Sequence, residues 1–296
     1  MEEKCLNRLP LSHTYRMENT ERVTLTRSEA EEYCVYKRQR KISEIMSAMR
    51  RTESELSQGD SAVKLCEQAL RLRQASIRLT PSELLMRGEN FIKNGVAVDC
   101  IVGGNGETFP CVKAYEAKKA VRAGAKEITL LITPSHILNC RYGELKREIK
   151  KVRRAVKRAV LKVRVEKNCP QSAMEKLAKI ASEQGAQYFS VPYFIGCEHL
   201  QNALLGGCLL EVSGIDSLAL FKQMTGAGIG RIVIERAWER YSEWLKEVEE
   251  ITVEKECRLP LSGEETKKKE TALSPILRAT EEKTHARLEG SDLKFI

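Results

Sequence analysis

Seven short runs rich in β-branched and other apolar residues recur through the middle of the chain, at 75–79, 96–102, 127–133, 160–166, 187–191, 209–213 and 231–235. Helical patterns lie between them, at 112–123, 143–159, 172–184, 217–225 and 237–248. The runs are near-continuously apolar, as parallel strands covered on both faces are. Strand alternating with helix predicts right-handed βαβ units and an α/β fold. An eighth strand would close the seven into a parallel (β/α)8 barrel of TIM type, and Arg22–Thr26 (RVTLT) is the best candidate for it. From pattern alone an open doubly wound sheet is the other solution. Several helical patterns end in a glycine just before the next strand, at Gly124, Gly185 and Gly228. Glycine suits the left-handed position that follows a helix.

The flanks differ in texture. Residues 1–58 read as a polar, helical extension, capped at Thr26 or Ser28, that also has to supply the first strand. Residues 59–248 read as the barrel, and 249–296 as a charged tail, rich in Lys, Glu and Thr, that is expected to be flexible. The pentapeptide RLPLS occurs at 8–12 and again at 258–262, once on each side of the barrel region. Chance or two similar chain-exit turns explain it, or a repeated docking or sorting peptide. The N-terminal residues carry no apolar run of signal-peptide length, and no stretch approaches the roughly 20 apolar residues that cross a bilayer. A cytoplasmic protein without membrane contact is expected.

Lysine and arginine number 50 against 41 acidic residues, for a net charge of +9. The densest charge lies at 146–164 (KREIKKVRRAVKRAVLKVR), where Leu145, Ile149, Val152, Val156 and Ala159 fall at helical spacing. This reads as an outer helix with a solvated basic face. No aromatic residues are interleaved to stack on bases, which argues against single-strand binding, and nucleic acid is not the expected partner. The ten cysteines form no Cys-x-x-Cys pair and the four histidines are scattered. Buried thiols in a reducing compartment are expected, with no metal and no cofactor. Gly226-Ala-Gly228-Ile-Gly230 precedes a strand, where a dinucleotide fingerprint must follow one. Gly103-Gly104-Asn105-Gly106 follows a strand but lacks the Lys-Ser/Thr of a phosphate loop, and reads as a plain loop.

The segments LCEQALRLRQASIRLTP, VAVDCIVGGNGETFPCVKAYEAKKAVRAGAKEITLLI, YGELKREIKKV, VLKVRVE, GAQYFSVP and LLEVSGI follow one another in an order and spacing that resembles the deoxyribose-phosphate aldolase family. The resemblance covers about residues 61–236 and implies a class I aldolase barrel, working through a lysine imine without a cofactor. It also implies where the chemistry fails. The family's imine-forming lysine on the sixth strand corresponds to Ser190, and a hydroxyl forms no imine. Its second lysine, which lowers the pKa of the first, corresponds to Glu211. Its proton-relay aspartate corresponds to Thr129. Of its phosphate site, Ser213 and Gly214 are kept, Ile215 replaces a further glycine, Glu235 falls where a carboxylate would repel phosphate, and Arg236 beside it offsets that repulsion. The strand-five lysine is kept as Lys162. If both point inward, Lys162 would pair with Glu211, since an unpaired buried charge is costly. The alternative is that Lys162 has become the imine former.

Three functions follow from this reading. The first is a catalytically degenerate aldolase-like barrel that binds a phosphorylated metabolite or a protein partner. The second is an active lyase that cleaves 2-deoxyribose 5-phosphate or a related sugar phosphate through a relocated lysine. The third is a scaffold or assembly component that uses the basic helix, the tail and the RLPLS segments. A sugar-phosphate ligand and homo-oligomerisation are the expected partners.

Overall fold

Outward-facing strand positions through most of the barrel region carry aliphatic or aromatic side chains that helices cover, and this pattern builds the molecule. The structure is a computed structural model that describes residues 12–16, 22–55, 61–166 and 169–251. Strands β1 (Ser12–Arg16) and β2 (Arg22–Thr26) pair antiparallel as a hairpin. The hairpin belongs to one compact unit, and Arg27–Glu256 to another. The second unit opens with α1 (Arg27–Met49) and closes eight parallel strands into a barrel.

The strands are β3 (Thr52–Glu55), β4 (Ser76–Leu79), β5 (Val98–Val102), β6 (Glu127–Leu131), β7 (Val160–Arg164), β8 (Tyr188–Pro192), β9 (Leu209–Ser213) and β10 (Arg231–Glu235). β10 pairs with both β9 and β3, which closes the ring and excludes the open sheet. The outer layer holds α2 (Ala62–Leu72), α3 (Pro81–Lys93), α4 (Pro110–Arg122), the short α5 (Pro134–Leu138), α6 (Tyr142–Val156), α7 (Gln171–Glu183), a 3-10 turn at Cys197–Ala203, α8 (Leu218–Gly226) and α9 (Ala237–Glu249).

The first barrel strand is a correction. The expected strand Arg22–Thr26 pairs with Ser12–Arg16 instead, and the ring is completed by Thr52–Glu55. That segment reads TESE and carries no apolar signal, yet Thr52, Glu53 and Ser54 are buried. Local and long-range partners make this tolerable. Thr52 Oγ1 donates to Met49 O at 2.7 Å and Ser54 Oγ to Gln74 Oε1 at 3.0 Å, while Glu53 meets the cations described below.

Helix starts and stops follow local chemistry. Thr80 and Glu83 form a reciprocal capping box ahead of Pro81, which fixes the start of α3. After α4, Gly124 (φ 106°) turns left-handed and Ala125 N–H reaches back to Ala120 O at 3.1 Å. After α7, Gly185 (φ 80°) and Ala186 do the same with Ala181 O. The stripe predicted in the basic helix is present, with Leu145, Ile149, Val152 and Val156 buried. Outward strand residues such as Ile77, Val98, Ile128, Leu161, Phe189, Leu210 and Ile232 lie at zero to 1% exposure beneath the helices. Among the eight described cysteines, all are free and five are buried, but Cys111 and Cys140 are exposed, contrary to a uniformly buried set.

No described helix is long and apolar enough to cross a membrane. The segment 252–296, with its expected tail and its RLPLS copy, lies outside the described residues. So do residues 8–11 of the first copy.

Candidate active site: a buried charge network

Side chains on a strand alternate, so the residues between the outward aliphatics point into the barrel. In most of the strands these inward positions are polar or charged. The register places Arg78 beside Asp99, Thr129 beside Lys162, and Ser190 beside Glu211. All six side chains are buried, at 1% exposure or less.

Lys162 is the hub. Its Nζ lies 2.8 Å from Glu127 Oε2, 3.0 Å from Glu211 Oε2 and 3.3 Å from Asp99 Oδ2, and it also contacts Glu53 Oε2. Arg78 makes a second hub. Its Nε sits 2.9 Å from Asp99 and 3.0 Å from Glu53, and its Nη2 sits 2.7 Å from Glu211 Oε1. Arg231 closes the lower side, with Nη2 3.2 Å from Glu127 Oε1 and Nη1 donating to Ser76 Oγ at 2.8 Å. Two neutral side chains finish the arrangement. Thr129 Oγ1 donates to Asp99 at 2.6 Å and Ser190 Oγ to Glu211 at 2.7 Å.

Three cations thus face four carboxyls. Burial drives the Glu53 pKa well above its ordinary value against the pull of Arg78 and Lys162, so of these carboxyls Glu53 is the one that most readily takes up a proton. Its hydrogen bond helps hold Asp99 ionised. Burial opposes ionisation of Asp99 and Glu211 too, but Lys162 and Arg78 overcome it. Asp99 falls below the usual carboxylate range and Glu211 falls to about 2. For Lys162, burial favours the free amine, but Asp99, Glu211 and Glu53 prevail and keep it an ammonium. Oxygens of Glu53, Asp99 and Glu127 lie within 4.8 Å of one another, a set that could ligate a metal ion. The Lys162 ammonium stands among them and supplies the cation itself.

Of the residues singled out in the sequence, Thr129, Lys162, Ser190 and Glu211 come together in this layer. Ser213, Gly214 and Arg236 lie apart from it, at the strand ends that form the barrel mouth. Ser213 is half-buried, and Gly214 (φ 83°) and Arg236 (φ 50°, ahead of α9) are exposed. Arg164 and Glu55 are also at the mouth, 3.8 Å apart. Sequence reasoning missed Glu53, Arg78, Asp99, Glu127 and Arg231. Asp99 and Arg78 had a signal, a charge at the inward parity of an apolar run. Glu53 had none, because its strand was not recognisable.

A second buried pair shapes the mouth. Lys113 on α4 donates to Glu148 Oε1 and Gly106 O at 2.6 Å, Leu131 O at 2.9 Å and Thr133 Oγ1 at 3.0 Å. The glycine-rich loop at 103–106 is therefore laid over a lysine that is already fully occupied by protein acceptors.

No family model matches the chain. Among curated proteins, it is 27% identical over 168 residues to the deoxyribose-phosphate aldolase of Clostridioides difficile, spanning 56% of this chain and 70% of that one. It is 33% identical over 129 residues to the deoxyribose-phosphate aldolase of Clostridium botulinum, spanning 43% of this chain and 60% of that one. Solved structures that share the fold include two aldolases. An aldolase designated QR15 matches with a TM-score of 0.61 and 23% identity, covering 67% of this chain and 96% of that one. The tetrameric deoxyribose phosphate aldolase of Aeropyrum pernix matches with a TM-score of 0.58 and 18% identity, covering 72% and 98%.

Proposed function

We propose that this chain, which belongs to the deoxyribose-phosphate aldolase family, has given up imine chemistry and acts by binding, with a phosphorylated metabolite or a protein partner held at the barrel mouth. The observation that carries this reading is the state of the catalytic layer. Ser190 stands where the family's nucleophilic lysine belongs, and the lysine that is kept, Lys162, is an ammonium enclosed by four carboxyls without solvent exposure. An imine former must present a free amine to a carbonyl carbon. Lys162 presents neither a lone pair nor an open face. Glu211 in place of a second lysine acts in the wrong direction, since its charge raises the pKa of a neighbouring amine.

Support for an anionic ligand comes from the mouth, where Arg236 precedes α9 at the end of β10, near Ser213 and Gly214 at the end of β9. A helix N-terminus and a cation together favour a phosphate, and the carboxylate of Glu235 opposes it. A cytoplasmic location and self-association fit the relatives and form part of this proposal.

Borohydride trapping with deoxyribose 5-phosphate, read by intact and peptide mass spectrometry, is the test. The reading expects no adduct in folded protein, and calorimetric binding of the sugar phosphate that weakens in Arg236→Ala. An adduct on Lys162 would overturn it and establish an active lyase with a relocated nucleophile.

A further inference from the structure

The chain's positive excess has a single source. Residues 113–164 carry sixteen basic against four acidic residues, net +12, whereas the whole chain carries +9. Those residues include most of α4 and all of α6, which pack side by side. Both helices run antiparallel to the strands they flank, so their C-terminal halves share the end of the barrel opposite the mouth.

At that end the exposed cations form two rows. Lys118, Arg122 and, just past the helix, Lys126 make the row on α4. Lys150, Lys151, Arg154, Lys157 and Arg158 make the row on α6. None of these eight has an acidic partner among the described residues. The nearby cations that do have partners are at the rim: Lys146 pairs with Glu183 at 2.9 Å, Arg147 with Glu144 at 2.8 Å, and Arg153 is taken up by backbone carbonyls and Gln187. The rows meet where Val160 N–H bonds Lys126 O at 3.0 Å.

We infer that this two-row face binds the phosphate backbone of double-stranded nucleic acid without reading its sequence. The inference concerns a different face from the barrel mouth and does not depend on the function proposed above. Axes of packed helices stand about 8–10 Å apart, and outward side chains fan apart on a convex surface. The separation of the rows therefore approaches the roughly 12 Å width of a major groove. Cations along one helix face recur about every 5–6 Å, so each row can follow one strand of phosphates. The patch has none of what other occupants need. Protein interfaces centre on aromatic and apolar residues and are poor in lysine. Here α6 exposes no large hydrophobic residue, and those exposed on α4, Val112 and Tyr115, lie toward its other end. Single strands need stacking aromatics, and no aromatic residue lies between the rows. Helix α6 alone reads as a solvated basic face. What the fold adds is the second row.

Fluorescence anisotropy of the full-length protein with two labelled 20-base-pair duplexes of unrelated sequence tests the inference. Both duplexes are expected to bind equally and more tightly than either single strand, with affinity falling steeply between 50 and 200 mM salt, at about 0.9 logarithmic units per phosphate contact for each tenfold rise in salt. Lys150→Glu/Arg154→Glu and Lys118→Glu/Arg122→Glu should each weaken binding by on the order of tenfold or more and lower the salt slope by about 2. Lys64→Glu/Lys246→Glu, the same charge change on α2 and α9, should leave it within about twofold. Circular dichroism confirms that each variant is folded. No duplex binding, equal loss in the control variant, or preference for poly-glutamate or phosphatidylserine vesicles over duplex would overturn the inference.

Discussion

Nζ of Lys162 lies 3.0 Å from Oε2 of Glu211, the two side chains reaching each other past β8 with no exposure to solvent on either. In the proposed reading, where the resemblance puts a lysine at the position of Glu211, this contact is an opposite-charged pair in place of a like-charged one. Glu211 here helps hold the proton on the Lys162 amine. Four carboxyls now need the Lys162 charge, which makes it part of the barrel's internal electrostatics.

Removing that charge is expected to be costly. Lys162→Met should destabilise the protein by about 3–5 kcal/mol, the typical cost of stranding buried charges. Denaturant unfolding of the variant beside the parent checks this. A loss below about 1 kcal/mol would mean that the network contributes no more than a surface pair.

The carboxyls are expected to separate into two kinds. Glu53, with its pKa raised by burial, is the carboxyl that gives up its charge most readily, so Glu53→Gln, which keeps a donor for Asp99, should change stability at pH 7 by less than about 1 kcal/mol. Glu211→Gln removes a needed negative charge and should cost about 3–5 kcal/mol. Equal costs for the two would contradict this division between Glu53 and Glu211.

Acid should act through Asp99 and Glu211. Both have folded-state pKa values below their ordinary ones, Glu211 at about 2. A depressed pKa gives stability that is present above the unfolded value and lost as pH falls through the folded one. Stability should therefore decline from near pH 4.5 toward pH 2. Glu53 has the opposite sign, since its raised pKa favours folding at low pH and opposes it as pH rises. In Glu211→Gln the acid limb should be shallower than in the parent, as measured by thermal unfolding at stepped pH. An unchanged limb would assign acid sensitivity to other groups.

The mouth loop should tolerate no side chain at Gly106. A Cβ there, at φ 89°, would stand 2.8 Å from Pro134 Cδ and 2.9 Å from Ile132 O, while one at Gly95, φ 77°, would meet nothing within 4 Å. Gly106→Ala should cost about 1–3 kcal/mol and Gly95→Ala about 1 kcal/mol, the left-handed penalty alone. Comparable unfolding midpoints for the two would show that the loop yields without resistance.

What the sequence determined by itself is the outward face of the barrel. Seven of eight strands, the stripe of α6 and the glycines that end α4 and α7 are visible because hydrophobic burial and left-handed turns act locally, through periodicity and single residue types. The inward face is different. Ser190, Glu211 and Thr129 could be placed by resemblance, but their meaning depended on Arg78, Asp99, Glu53 and Arg231, which come from strands 21 to 155 residues apart in pairings such as Arg78–Asp99 and Arg231–Ser76. The strand Thr52–Glu55 was illegible for the same reason. A run of Thr, Glu, Ser and Glu is buried because cations from β4 and β7 meet Glu53, and no local preference signals that. The two cation rows also needed the fold, since only packing α4 against α6 sets them side by side. Apolar burial is additive along the chain and is written in it. Charge burial is favourable only as a balanced set, and closure of the barrel decided which residues belong to that set.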